Sequence, residues 1–228
     1  ELDFSHLPDF AIQRTYDYAL SQKLESLGIR VFNNSKVSYL CNDKYLTYDF
    51  FKDKNIPLMK TKLIASSCEA PFPFPFVVKP CGGHGGEGVY LVHTKEEYDT
   101  ALSALKGRRL IAQLPASDKG KDLRVYVMGN KIIKGMLRIS ETDFRSNFSL
   151  GGKAVIHPLT KAEEKIIDTV TSHLCFDFAG IDLIYHNGNP VLNEIEDVVG
   201  SRMLYKYTDI DISKEYVSYI KNCLADYK

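Results

Sequence analysis

Lys79-Pro-Cys-Gly-Gly-His-Gly-Gly-Glu-Gly88 carries glycine at five of its ten positions and separates two short apolar runs, Phe76-Val-Val-Lys79 and Gly88-Val-Tyr-Leu-Val92. Both runs have the length and valine-rich make-up of strands, so the segment reads as two strands joined by a glycine-rich loop. Ordering so many glycines is costly in entropy, which points to a use. Successive backbone N–H groups can be turned into one concavity there, and Lys79 at the end of the first strand adds a full positive charge. Together these suit phosphate oxygens. No Gly-Lys-Ser/Thr ending follows, as a Walker A loop requires, and the next element is a strand where a dinucleotide-binding fingerprint has a helix. The segment fits a loop that covers a nucleotide; taken alone it also fits a flexible surface hairpin. His84, at the loop tip, is as compatible with solvation as with a phosphate or acyl contact.

On the N-terminal side, residues 16–27 read as a helix closed by Gly28, followed by the short strand 29–32, one α-to-β step of an α/β unit. Asn42 is placed to cap a second helix to about residue 55, with Leu46, Phe50 and Phe51 facing inward and Ile56-Pro57 ending it. Pro71-Phe-Pro-Phe-Pro-Phe76 reads as the entry to a buried strand, not as a proline-rich ligand. Downstream, Thr94 with Glu97 and Thr160 with Glu163 are capping-box signatures for helices ending near residues 105 and 174. Residues 110–113 form a strand. Residues 123–128 and 131–139 flank Gly129-Asn130 as a hairpin, and 180–185 with 191–195 form a second, turning through His186-Asn-Gly-Asn189. A final helix spans 213–225. Antiparallel strands mixed with helices predict an α+β fold in lobes, without internal repeats.

The 228 residues are 44% apolar, enough for a sizeable core. Lys plus Arg (29) equal Asp plus Glu (29), which removes the electrostatic argument for a nucleic-acid or anionic-membrane partner. Cys41, Cys68, Cys81, Cys175 and Cys223 are scattered and form no C-x-x-C pair, a pattern of free thiols in a reducing cytoplasm. No apolar run approaches the roughly 20 residues that span a bilayer, and the first residues lack a basic-then-apolar leader. A soluble cytoplasmic protein is expected; nothing in the sequence sets its oligomeric state, and a homo-oligomer is compatible with it.

Two further clusters can do chemistry. Glu194 and Glu196, at i and i+2 of one strand, share a face, and the paired strand can bring Asp182 beside them. Their mutual repulsion calls for a cation, and hard oxygen ligands on strands suit magnesium bridging to phosphates. The neighbours Ile181, Leu183, Val191 and Ile195 place the opposite face in the core. Spacing alone leaves a solvated acidic edge as the other reading. In Asp143-Phe-Arg-Ser-Asn147, Arg145 offers a planar fork for a phosphoryl group or carboxylate, and Asn147 can bind metal or a phosphate oxygen.

In order and spacing, these segments resemble the ATP-grasp superfamily, and within it the RimK-type carboxylate–amine ligases that include the ribosomal-protein glutamate ligase. The likeness runs from Asp9 to Ile210. It is carried by Phe76-Val-Val-Lys-Pro with the glycine loop, Gly120-Lys-Asp-Leu-Arg-Val-Tyr-Val, Asp143-Phe-Arg-Ser-Asn with Gly151-Gly152, and Ala179-Gly-Ile-Asp182 with Asn193-Glu-Ile-Glu. The resemblance implies an ATP-grasp fold, two α+β lobes gripping ATP, with a small lobe at 41–112 that carries the lid and a large lobe at 113–228 that carries the magnesium site. Residues 1–40 resemble the tail of a preceding α/β domain. Residues 9–12 read as a strand wanting sheet partners, which favours a portion of a longer chain over a chain whose first lobe is reduced.

By the same resemblance, Lys44 and Lys79 contact ATP phosphates, with Gly83, Gly85 and Gly86 over them. Gln113 and Leu114 offer backbone hydrogen bonds to adenine, Asp122 lies near the ribose, and Arg145 and Asn147 face the γ-phosphate. Asp182, Glu194 and Glu196 hold magnesium, for which manganese can substitute, and Arg14 and Arg202 are candidate clamps for a substrate carboxylate. Two departures stand out: Glu196 replaces the usual asparagine of Glu-x-Asn, and Pro115 has no N–H to offer at the hinge. The implied reaction moves a phosphoryl group from ATP to a carboxylate, and an amine then attacks the acyl phosphate; the substrates are a small-molecule acid and amine or a peptide terminus. Arg145 and Lys79 would stabilise the transferring group. The alternative is a regulatory module that keeps the ATP fold without ligating.

Overall fold

The computed structural model describes residues 7–65, 69–83, 85–140 and 153–225. Its first element, β1 (Phe10–Ile12), pairs in parallel with β2 (Arg30–Phe32). The crossover between them is α1 (Tyr18–Ser26), capped by the Asp17 carboxylate on the Leu20 N–H and left through Gly28 at φ +81. Where one helix from Asn42 is expected, two are found: α2 (Ser35–Cys41) and α3 (Lys44–Phe51). Asn42 ends the first, donating its N–H to Ser38 O, and Asp43 caps the second by accepting from the N–H groups of Tyr45 and Leu46. The carboxylate prevails because its full charge also meets the positive end of the helix dipole.

A four-stranded antiparallel sheet follows, built from β3 (Thr61–Leu63), β4 (Phe76–Pro80), β5 (Tyr90–Val92) and β6 (Leu110–Gln113) in the order β3-β6-β4-β5. One face packs on α4 (Lys95–Ala104) through Phe76, Val78, Tyr98, Leu105 and Ala112. Thr94 accepts from the Glu97 N–H, whereas the Glu97 carboxylate reaches past the cap to the His93 N–H.

The larger sheet takes β7 (Asp118–Met128), β8 (Lys131–Ile139), β9 (Lys153–Ile156), β10 (Phe178–His186) and β11 (Asn189–Glu196) in the order β11-β10-β7-β8-β9, antiparallel throughout. Period-two alternation sorts its side chains. Leu123, Val125 and Val127 of β7 join Ile181 and Leu183 of β10 in a core closed by α5 (Lys161–His173), whose Thr160–Glu163 capping box is complete. Burying each such side chain contributes about 1.5–3 kcal/mol relative to exposure. On the opposite face, Tyr126, Met128, Met136 and Phe178 pack against α6 (Arg202–Tyr207) and α7 (Ile212–Ala225). Farther along the same face the side chains turn charged, with Asp122, Arg124, Arg138 and Asp182 all buried. The α+β expectation is met: helices cover antiparallel sheets in separate groups. No described helix is long and apolar enough to cross a membrane.

Candidate active site

Between the two larger sheets lies a cleft that is open to solvent and walled by residues of both. Its walls include Lys44, Lys79, Gln113, Asp122, Asn193 and Glu194, and Gly83, Gly85 and Gly86 of the loop also line it. Leu114, Pro115 and Ala116, which link β6 to β7, line it as well.

Lys44 opens α3 and lies within reach of both walls: its Nζ donates to Gly83 O at 2.7 Å and lies 3.3 Å from Glu194 Oε2. Lys79 is buried near the end of β4 and donates to Gln113 Oε1 at 2.9 Å and to Asn193 Oδ1 at 3.4 Å. Gln113 is fixed in turn, since its Nε2 donates to Thr61 Oγ1 and that hydroxyl donates to Met59 O. A lysine can only donate, so Gln113 must present its oxygen to it. The Leu114 N–H donates to Lys60 O at 3.0 Å, so an adenine contact from that N–H would require this bond to break.

Burial lowers the Lys79 pKa to about 8 against the opposing pull of Glu194. Phosphates are attracted to the charged form, and a phosphate's second ionisation, at about 6, is already complete in this range. Affinity of the free protein for ATP is therefore expected to hold below about pH 8 and to fall as the pH rises through it, by roughly ten-fold for each unit beyond. Calorimetric titrations on either side of that value check this.

The acidic cluster is also present. Asp182, Glu194 and Glu196 bring ligand atoms within 4.8 Å of one another. Asp182 on β10 stands opposite Glu194, and Gly180 opposite Glu196. The register slips by one between Asp182 and Leu183, leaving Asn193 as an extra residue in β11. Because of this bulge Leu192 and Ile195 share the core that strict alternation assigns to Val191 and Ile195; Val191 is buried outside that cluster. The donor set is three hard carboxylate oxygens on rigid strands, which fits a divalent ion such as magnesium.

Glu194 is paired with Lys44, and the other two acids are paired as well, which spacing alone does not reveal. Arg124 Nε donates to Asp182 Oδ1 at 2.8 Å and its Nη2 to Oδ2 at 2.7 Å, while the same Nη2 is 2.6 Å from Glu196 Oε1. Arg138 Nη2 adds a bond to Asp182 Oδ2 at 2.7 Å, and Arg138 also holds Asp122 through both carboxylate oxygens. Asp122 lines the cleft, as a ribose neighbour must, but its carboxylate serves this buried pair. Burial alone would raise the Asp182 pKa; Arg124 and Arg138 outweigh it and hold it at about 2. Burial raises Glu196 to about 7 despite Arg124. Burial acts in the same direction on Glu194, but there the Lys44 charge opposes it and the pKa is lowered. The pattern Asp122-x-Arg124 is the signal that could have found this network, since i and i+2 on one strand share a face.

Arg14 and Arg202 do not line the cleft. Arg14 donates to Val199 O at 2.7 Å and to Asp197 O at 3.4 Å, tying the exit of β1 to the chain beyond β11, and Arg202 is exposed at the start of α6. His84, Arg145 and Asn147 lie outside the described residues.

Residues 41–220 match the family described as the RimK-like ATP-grasp domain. A probable alpha-L-glutamate ligase of Enterobacter sp. (strain 638) is 29% identical over 226 residues, covering 94% of this chain and 75% of that protein. Glutamate--LysW ligase ArgX of Sulfolobus acidocaldarius is 33% identical over 219 residues, covering 89% and 76%. Among solved structures, D-alanine--D-alanine ligase of Bacillus anthracis superposes with a TM-score of 0.75 at 17% identity, covering 96% of this chain and 82% of that one, a likeness of fold.

Proposed function

The chain belongs to the RimK-like ATP-grasp family, and from that premise we propose that it joins the carboxylate of a small molecule or peptide terminus to the amine of an amino acid such as glutamate, with magnesium as the working ion. It is an ATP-dependent carboxylate–amine ligase, in keeping with relatives named as ligases. What supports the finer reading is the meeting of both walls at one point: Lys44 lies between Gly83 O and Glu194 Oε2, and Lys79 reaches Asn193 beside that acid.

In this reading Lys44 and Lys79 take the nucleotide phosphates, and the segment 114–116 takes the base. Asp182, Glu194 and Glu196 would hold the divalent ion, which when bound neutralises phosphate charge and polarises the transferring group. Lys79, buried in a medium of low dielectric, exerts more pull on developing charge than it would in water. The glycine loop excludes water that would hydrolyse an acyl phosphate before the amine arrives. No side-chain nucleophile is needed. A cytoplasmic setting also keeps reduced the described cysteines Cys41, Cys81, Cys175 and Cys223, which are free thiols.

The test is ADP release in a matrix of carboxylic acids against amino acids, glutamate included, with ATP and magnesium. Release that requires one acid and one amine together is the expected result. Nucleotide binding with no turnover in any combination would instead support the regulatory module.

A further inference from the structure

The acids that fit a divalent ion already have cations beside them. Asp182 accepts hydrogen bonds from Arg124 on both oxygens and from Arg138 on Oδ2, which uses all but one of the roughly four sites a carboxylate offers. What is left is one position on Oδ1. Glu196 gives Oε1 to Arg124, and Glu194 faces Lys44. The site is thus internally neutralised.

Arg124 is the member of this arrangement that must give way. It stands on β7 opposite Asp182, yet it reaches across β10 to Glu196 on β11. That path is open because the β10 residue opposite Glu196 is Gly180: a Cβ there would lie 2.6 Å from Val199 Cγ2 and 3.5 Å from Arg124 Cδ. A carboxylate at position 196, where the family resemblance leads one to expect asparagine, turns the contact into a charge-assisted pair.

We infer that Arg124 is a resident cation of the metal site: it holds Glu196 when no divalent ion is present, competes with the ion for that carboxylate, and is displaced from Glu196, but not from Asp182, when ion and nucleotide bind together. The inference rests on the reading of the three acids as a divalent site. Its consequence is that the ion alone binds weakly. Nucleotide phosphates draw Lys44 from Glu194, and only then does the site acquire the negative charge that outcompetes the guanidinium.

The test is Mn2+ binding to the whole chain, followed by the electron paramagnetic resonance of the free ion, with and without a non-hydrolysable ATP analogue. Without nucleotide, Arg124→Met is expected to bind Mn2+ at least about ten-fold more tightly than the unaltered protein, because a close opposing charge has gone. Adding Glu196→Gln to it should remove the gain. Should Arg124→Met not fold, Arg124→Lys, which keeps the charge but loses the fork, is expected to show a gain of about three-fold. A folded Arg124 variant with unchanged Mn2+ affinity overturns the inference while leaving the divalent site standing. If the unaltered protein binds no Mn2+ even with the analogue, the divalent reading itself falls, and this inference with it. In the unaltered protein the Arg124 Nε–H nuclear resonance, assigned from the variants, should shift when magnesium and analogue are added together; a resonance that stays in place also overturns it.

Discussion

Glu194→Gln is expected to lower ADP release by about 10²–10³-fold at saturating magnesium, the usual loss when one group that stabilises transferring charge is removed. Glu194 faces the cleft with its side chain 24% exposed and meets Lys44 at 3.3 Å. Glutamine keeps an oxygen that can accept from Lys44, so the stability lost is on the order of one hydrogen bond, about 1 kcal/mol. The melting temperature should therefore stay close to that of the unaltered protein. Parallel measurements of turnover and thermal unfolding check both halves; full activity in a folded variant would remove Glu194 from the site.

Asp182→Asn should behave differently. Asp182 is fully buried and neutralises both Arg124 and Arg138. An amide carries no charge, so two guanidinium groups in the interior would be left to the acids that remain. Removing one partner from such a buried network costs about 3–5 kcal/mol, and each kcal/mol lowers the melting temperature of a chain this size by about 2–4 °C. The folded pKa of Asp182, about 2, lies below its ordinary 3.8. A depressed carboxylate stabilises the fold fully above its unfolded pKa, and that contribution is lost as the pH falls through the folded one. Asp182→Asn should thus be less stable at neutral pH, and it should lose less than the unaltered protein on acidification through that window. Denaturant unfolding at neutral and acid pH reads both effects; equal stability at neutral pH would show that the arginines find other partners. Activity lost in this variant does not by itself identify a metal ligand, which makes Glu194 the cleaner probe.

Much of this molecule is legible in its residues where the signal is local. The Thr160–Glu163 box marks a helix start, Leu110–Gln113 is a strand as read, and the hairpin brings Asp182 and Glu194 opposite each other. Three short elements escape, β3 and β9 with 3 and 4 residues and α6 with 6: Thr61-Lys-Leu63 holds a single apolar residue, whereas the equally short Leu110–Gln113 opens on three. At Asn42-Asp43 two good caps stand side by side, and one ends a helix while the other begins the next. Arg124 and Arg138 escape for another reason. A charged residue within a strand reads as a solvated position, and its burial depends on which strand lies beside it, a long-range fact of sheet order.

The β11 strand carries one residue more than its pairing uses. Were the hairpin zipped evenly from its turn, Asn193 would take the place opposite Asp182, and Glu194 and Glu196 would fall opposite Ile181 and Ala179, on the side of the apolar core. Two unpartnered charges sealed in oil would exceed the whole margin by which a protein of this kind stays folded, about 5–15 kcal/mol. The alternative zipper is therefore closed to the chain, and the same irregularity that aims the acids outward also guards the fold against its nearest rival.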